Sequence, residues 1–392
     1  MANNQDEKKQ ERPRPWEAQS LVRSIKQVLK EFEIRESSGV KDTHGYILPG
    51  WPILNQDISG LRPGTLTLVG SWKGYYRKEF MMEWCSQVTK SSRKPSLYQS
   101  FEFPSRELIL ARIARESSLP YGVVATGKLL GHKRRKEQLQ AGLHQMASYQ
   151  GLLHLSSALR TADISGLEEE ICRIGDRFNG IYPTLFIDRL NGMEAGQGSS
   201  NEERLCILAR QLKCLALKYS VPIVAGVDFN KSSRDVVGRD TDLEDNIYVE
   251  QMTGGFNLIA EADHAFTLST SEVDSIELSR ILGQLAQGRG LSEVSIPPSE
   301  VILLGANEAR HAGEPIQGIL YLVSYDTGHC SEICSFNEQV IVRFSRMEKI
   351  VVSMEDKGIW FFPEPTGSAA DIGGDASQAE ETQKVKVSVK LT

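Results

Sequence analysis

Between Leu66 and Leu268 the chain alternates two hydrophobic patterns that few folds can satisfy together. Short apolar runs lie at Leu66–Val69, Leu97–Ser100, Leu152–Leu155, Thr184–Ile187, Pro222–Gly226 and Ala265–Leu268. Stretches with helical apolar spacing separate them, at Arg106–Glu116, Lys136–Ala147, Ser165–Arg177 and Glu202–Tyr219. Strands that are apolar throughout are buried on both faces, and parallel strands need long, usually helical, crossovers. The pattern predicts an α/β fold with a mostly parallel sheet and helices on both faces. After Val301 the helices stop, and "VILLGANEARHAGEPIQGILYLVSYD" predicts a C-terminal β-hairpin closing one sheet edge.

The flanks read differently. Residues 1–16 are polar and charged, which predicts a disordered tail. In "EAQSLVRSIKQVLKEFE" Leu21, Ile25, Val28, Leu29 and Phe32 share one helical face, so residues 17–45 read as a linker helix and its connection. The main domain then runs over 46–363, with an excursion at about 270–299, and the small, polar residues of 364–392 predict a disordered tail. Hydrophobic content of 40% and charged content of 24% are those of a soluble globular protein. No apolar run is long enough to cross a membrane, and the N-terminus lacks the apolar core of a secretory signal, so the expected location is cytoplasmic. The six cysteines show no disulfide framework, and "HCSEIC" (His329, Cys330, Cys334) lacks the second ligand pair of a zinc site. A net charge of −6 argues against a surface coated in nucleic acid, while leaving room for a local basic channel.

The segment "LTLVGSWKGYYRKEFMMEW", Leu66 to Trp84, has the strand–loop–helix setting of a phosphate-binding loop, with Gly70 and Gly74 in the expected region. The pattern G-x-x-x-x-G-K-[ST] is absent, and Tyr75 and Tyr76 stand where small residues belong. Open α/β sheets bind ligands at the carboxyl ends of their strands. There this chain carries Glu102, Asp188, Asp228, Asn230 and Lys231. Carboxylates after two buried strands suit metal holding and water activation in nucleotide hydrolysis; each one singly suits helix capping as well.

In order and spacing, these segments resemble the RecA-like ATPase domain of DnaB-type replicative helicases, a P-loop NTPase core whose relatives include the RadA and KaiC groups. The resemblance rests on "GYILPGWPILNQDISGLRPGTLTLVG", on Glu102 ending the second strand, and on "LFIDRLNGM" at Asp188. It continues through "LARQLKCLALKYSVPIVAGVDFN", "IAEADHAFTL" and "GANEARHAGEPIQGILYL", and spans about Tyr46 to Ile333. It implies that ATP and Mg2+ are the cofactors. Glu102 would polarise the attacking water, Asp188 would position the metal, and Arg310 would act as an arginine finger toward a neighbour's nucleotide. Gly70, Lys73, Gly74, Arg77 and Lys78 would make up the nucleotide-binding loop, and Asp228 falls on the sensor position. It also implies a homo-oligomer, a hexamer among the options, and single-stranded DNA held in a channel by Lys231, Arg234 and Arg239.

The departures from the family pattern cluster at the chemistry. Aligning Phe80, Met82 and Trp84 with the family's apolar helix residues puts Lys78 at the magnesium-binding Ser/Thr position. Arg77 then falls at the lysine and Tyr76 at the second glycine, with one residue inserted. The sensor glutamine becomes Asp228, and the lysine two residues before the finger becomes Glu308. These changes predict weakened or lost ATP binding and hydrolysis. The competing readings are a non-enzymatic scaffold and a KaiC-like regulatory module. The basic run "GHKRRKEQ", His132 to Gln138, reads as a solvated helix start or a phosphate-contacting patch.

Overall fold

The computed structural model describes residues 50–51, 54, 58, 60–72, 76–127, 132–157, 163–194, 200–230, 249–270, 299–309, 318–336, 341–344, 348–353, 358–362 and 385–388. Strands β1 (Leu66–Ser71), β2 (Ser96–Ser100), β3 (Leu153–Ser157), β4 (Thr184–Ile187), β5 (Ile223–Asp228) and β6 (His264–Thr270) form the parallel part of one sheet, in the order β6-β1-β5-β4-β2-β3. The helices are α1 (Arg77–Ser92), α2 (Ser105–Ser117), α3 (Tyr121–Thr126), α4 (Lys133–Ala147), α5 (Ile164–Arg177), α6 (Asn201–Tyr219) and α7 (Gly255–Ile259).

Successive strand residues point to opposite faces, and each face has its own core. Leu66, Leu68, Leu185, Ile187, Ile223, Ala225 and Val227 meet the apolar faces of α5 and α6. Val69, Tyr98, Phe186, Val224, Phe266 and Leu268 meet Phe80, Trp84 and Val88 of α1 and Leu108 of α2. Burial on both sides is why these strands read as unbroken apolar runs. Local signals place the helix starts: Ser200 accepts the Glu203 N–H at 3.1 Å before α6, and Asp163 accepts the Gly166 N–H at 2.9 Å before α5.

The expected hairpin is present as β7 (Ser299–Ala309) and β8 (Gly318–Ser324), with β7 antiparallel to β6. It does not close the sheet, however. Strands β9 (Cys330–Phe336), β10 (Ile341–Phe344), β11 (Glu348–Ser353), β12 (Gly358–Phe362) and β13 (Val385–Ser388) extend the sheet antiparallel beyond β8. β13 falls inside the stretch read as a disordered tail, where alternate valines at 385 and 387 give a short run the period of a strand. The linker helix at 17–33, the tail at 1–16 and residues 271–298 of the excursion lie outside the described residues. No described helix is long and apolar enough to cross a membrane.

Candidate functional site

The carboxyl ends of β1, β2, β4 and β5 bring together Arg77, Glu102, Asp188 and Asp228, which the sequence had singled out separately. They also bring Arg189, which it had not. Arg77 opens α1, but its side chain turns back over the sheet. Its Nη1 donates to the Ser71 hydroxyl at 3.0 Å and the Val227 carbonyl at 2.9 Å, and its Nη2 donates to Asp228 Oδ1 at 2.9 Å. Asp228 Oδ2 accepts from Arg189 Nε at 2.9 Å, and Arg189 Nη1 reaches Glu102 Oε1 at 2.6 Å. The result is a continuous ionic chain, Arg77–Asp228–Arg189–Glu102. The backbone of Asp228 is held too, its N–H by Asn191 Oδ1 at 2.9 Å and its carbonyl by Thr253 Oγ1 at 2.8 Å.

Close backbone approach makes room for this chain. A Cβ on Gly226 would collide with the Asp188 carbonyl oxygen and lie 2.8 Å from Arg77 Nε, so only glycine lets the guanidinium lie flat across β5. Gly70 belongs inside β1 rather than in the loop that follows it. A Cβ there would meet Met252 and Phe229, each at 2.6 Å, so this glycine serves packing. Lys73 and Gly74 lie outside the described residues, as do Arg310, Lys231, Arg234 and Arg239.

Tyr76, immediately before α1, has φ of 52° and ψ of 14°, the left-handed conformation that glycine adopts freely and other residues enter at a cost of roughly 1–2 kcal/mol. The backbone at Tyr76 thus has the shape that glycine adopts most easily. Lys78, in the first turn of α1, ion-pairs with Glu79 Oε1 at 3.0 Å and sits 4.0 Å from the Phe103 ring centroid.

Asp188 follows β4 and is almost fully buried, and its Oδ2 has no hydrogen-bond partner among the described residues. Burial raises its pKa to about 6, opposed by Arg77 and assisted by Glu102. A hard divalent cation wants several oxygen donors, usually including hydroxyl or water. Here Asp228 and Glu102 are already bound to guanidinium groups, and Lys78 in the first turn of α1 is paired with Glu79. Among the described residues no group of three or more His, Cys, Asp or Glu side chains could hold a metal ion, "HCSEIC" included as far as it is described.

A profile of the DnaB-like helicase C terminal domain matches residues 47–257, more than half of the chain. The chain belongs to that family. Replicative DNA helicase DnaB of Haemophilus influenzae is 24% identical to it over 245 residues, covering 59% of this chain and 50% of the relative. The Pasteurella multocida protein of the same name is 25% identical over 210 residues, covering 52% and 43%. The chain thus spans about half the length of these relatives. Among solved structures, an ATPase domain superimposes with a TM-score of 0.63 at 12% identity, covering 80% of this chain and 99% of that one. A DnaB-like replicative helicase, solved in work on its interactions with primase, gives 0.59 at 12% identity, covering 78% and 66%. The RecA-like fold of the DnaB-like family is therefore the fold of this chain.

Arg189 is the site residue the sequence reading passed over. It stands directly after Asp188 in "LFIDRLNGM", a cation at the carboxyl end of a central strand. That position alone would have justified weighing it.

Proposed function

We propose that this chain is a DnaB-like protein of DNA replication, repair or mobile-element DNA metabolism that does not turn over ATP. One observation carries this reading. The arginine that aligns with the phosphate-binding lysine is held by Ser71, the Val227 carbonyl and Asp228, and the carboxylate that aligns with the water-activating glutamate is held by Arg189. A triphosphate needs uncommitted cations, and a general base needs an uncommitted carboxylate. The Arg77–Asp228 pair is largely buried, where exchanging a counter-ion costs more than in water, while Glu102 lies at the surface and its pair with Arg189 is held more weakly.

In this reading the RecA-like surface serves assembly, with itself or with an active relative. Single-stranded DNA is the second partner, through Lys231, Arg234 and Arg239. Calorimetric titration of ATP with and without Mg2+ tests the proposal. The expected result is no saturable heat at nucleotide concentrations of about 1 mM. A combined Tyr76→Gly, Arg77→Lys, Lys78→Thr variant should recover measurable binding. Micromolar, magnesium-dependent affinity in the unaltered protein would refute the reading.

A further inference from the structure

Beside the ionic chain lies a cavity of about 270 Å³, between the first turn of α1, α2, the start of α3 and the β8–β9 turn. Phe103, Tyr121 and Tyr325 give it aromatic surface, the last two exposed at 38% and 54%. Arg115, which is only 4% exposed, also lines it. The Arg115 Nε has no hydrogen-bond partner among the described residues, and Nη1 reaches only the Glu79 carbonyl, at a long 3.4 Å. No described carboxylate lies within ion-pair distance of it, and Glu79 and Glu83 act on it only from farther off. A guanidinium removed from water without a bound counter-ion is expensive, and natural structures supply such groups with an anion. The neighbouring Arg112 shows the contrast, since it is held by both Glu83 and Glu116.

We propose that this cavity binds a small monocarboxylate with an aromatic or apolar body, its carboxylate on Arg115 and its body between Phe103, Tyr121 and Tyr325. Planar bidentate pairing suits a guanidinium to a carboxylate, and the aromatic walls bury the remainder. The charge balance chooses the ligand class. Glu79 is occupied by Lys78, and Glu107 and Asp326 are exposed at the rim. Lys78 and Arg115 stand against Glu79, Glu107 and Asp326, so a negative charge is accepted only directly on Arg115 and a polyanion such as a nucleoside triphosphate is repelled. The β8–β9 turn is shaped for the approach. Gly328 has φ of +65°, and a Cβ there would press on Arg115 Nη2 and Glu79 Cγ, both at 3.3 Å. Tyr121 N–H donates to the Asp326 carbonyl at 3.0 Å and ties the turn to α3.

Benzoate serves as the probe, titrated into the full chain and followed by calorimetry and by thermal shift, with inorganic phosphate and AMP as parallel arms. The expected result is saturable benzoate binding with Kd on the order of 1 mM, weakened about tenfold or more by Arg115→Gln and by Tyr121→Ala. Tyr121 is at the surface, so its variant decides the matter if Arg115→Gln does not fold. Failure of benzoate to saturate overturns the proposal. Benzoate affinity unchanged in the folded variants does so as well. Tighter binding of phosphate or AMP at the same place would make this a phosphate site, and the carboxylate assignment would fall.

Discussion

Asp188 is held in the folded protein against its chemistry. Burial with an orphaned Oδ2 raises its pKa from the ordinary 3.8 to about 6, so the folded chain binds this proton more tightly than the unfolded one does. Stability must then fall as pH rises from about 4 to about 6 and stay lowered above that, by something on the order of 3 kcal/mol from this group alone. Asp188→Asn removes the ionisation and keeps the shape. The variant should match the unaltered protein near pH 4 and unfold at higher temperature near pH 7.5, which thermal denaturation at the two pH values measures. Equal melting temperatures at pH 7.5 would mean that Asp188 has a counter-ion after all. Residues of this kind mark where the sequence can be read and where it cannot. Position at a strand end singles out Glu102, Asp188 and Asp228 as polar residues at the right edge of the sheet. Whether each is free, paired or protonated depends on Arg77 and Arg189 folding back, and periodicity carries no signal for that.

At the scale of elements, the junction of α1 and α2 shows the same division. The apolar spacing that identifies α2 counts Leu108 and Ala114 toward the core, yet the largest fully buried side chains include Arg112. Arg112 Nη1 lies 2.6 Å from Glu83 Oε2 on α1, its Nη2 bonds Glu116, and its Nε donates to the Tyr149 hydroxyl at 3.1 Å. Burial alone would raise the Glu83 pKa, but Arg112 foremost, then His329 and Arg115, outweigh it and hold it at about 2. Glu83 thus stays ionised in the fold and joins two helices through a dry ion pair. A charged residue on an otherwise apolar face reads from sequence as a solvent-facing position, so the pair is invisible until the helices are docked. Glu83→Ala leaves Arg112 in the core with Glu116 as its one remaining carboxylate and should destabilise the protein by about 3 kcal/mol. Lys90→Ala removes only a partly exposed contact to Glu116, 2.6 Å away, and should cost under about 1 kcal/mol. Urea unfolding of the two variants tests the contrast; similar midpoints would show that the buried pair is not what joins these helices.

Across the whole molecule, fold and chemistry come apart. The RecA-like fold of the DnaB-like domain is kept in the parallel strands and the two-sided core, while Arg77, Asp228, Arg189 and Glu102 at the carboxyl edge of that sheet are paired with one another. If nucleotide does not bridge neighbouring copies, assembly needs contact surface of its own. The described surface offers apolar side chains, Phe256 on α7 at 67% exposed and Leu217 on α6 at 55%, and the sequence predicts a further apolar face for residues 17–33. The expected outcome is an oligomer whose size is the same with and without ATP and Mg2+, seen by light scattering at about 20 μM protein, a concentration that populates any assembly of micromolar affinity. Removing residues 1–33 should give the monomer. Assembly that appears only on adding nucleotide would return the site to the ATP-using class and reverse the reading of the Arg77–Asp228 pair. A monomer under all conditions would leave the altered site intact but deny this chain the self-assembly that its fold was proposed to serve.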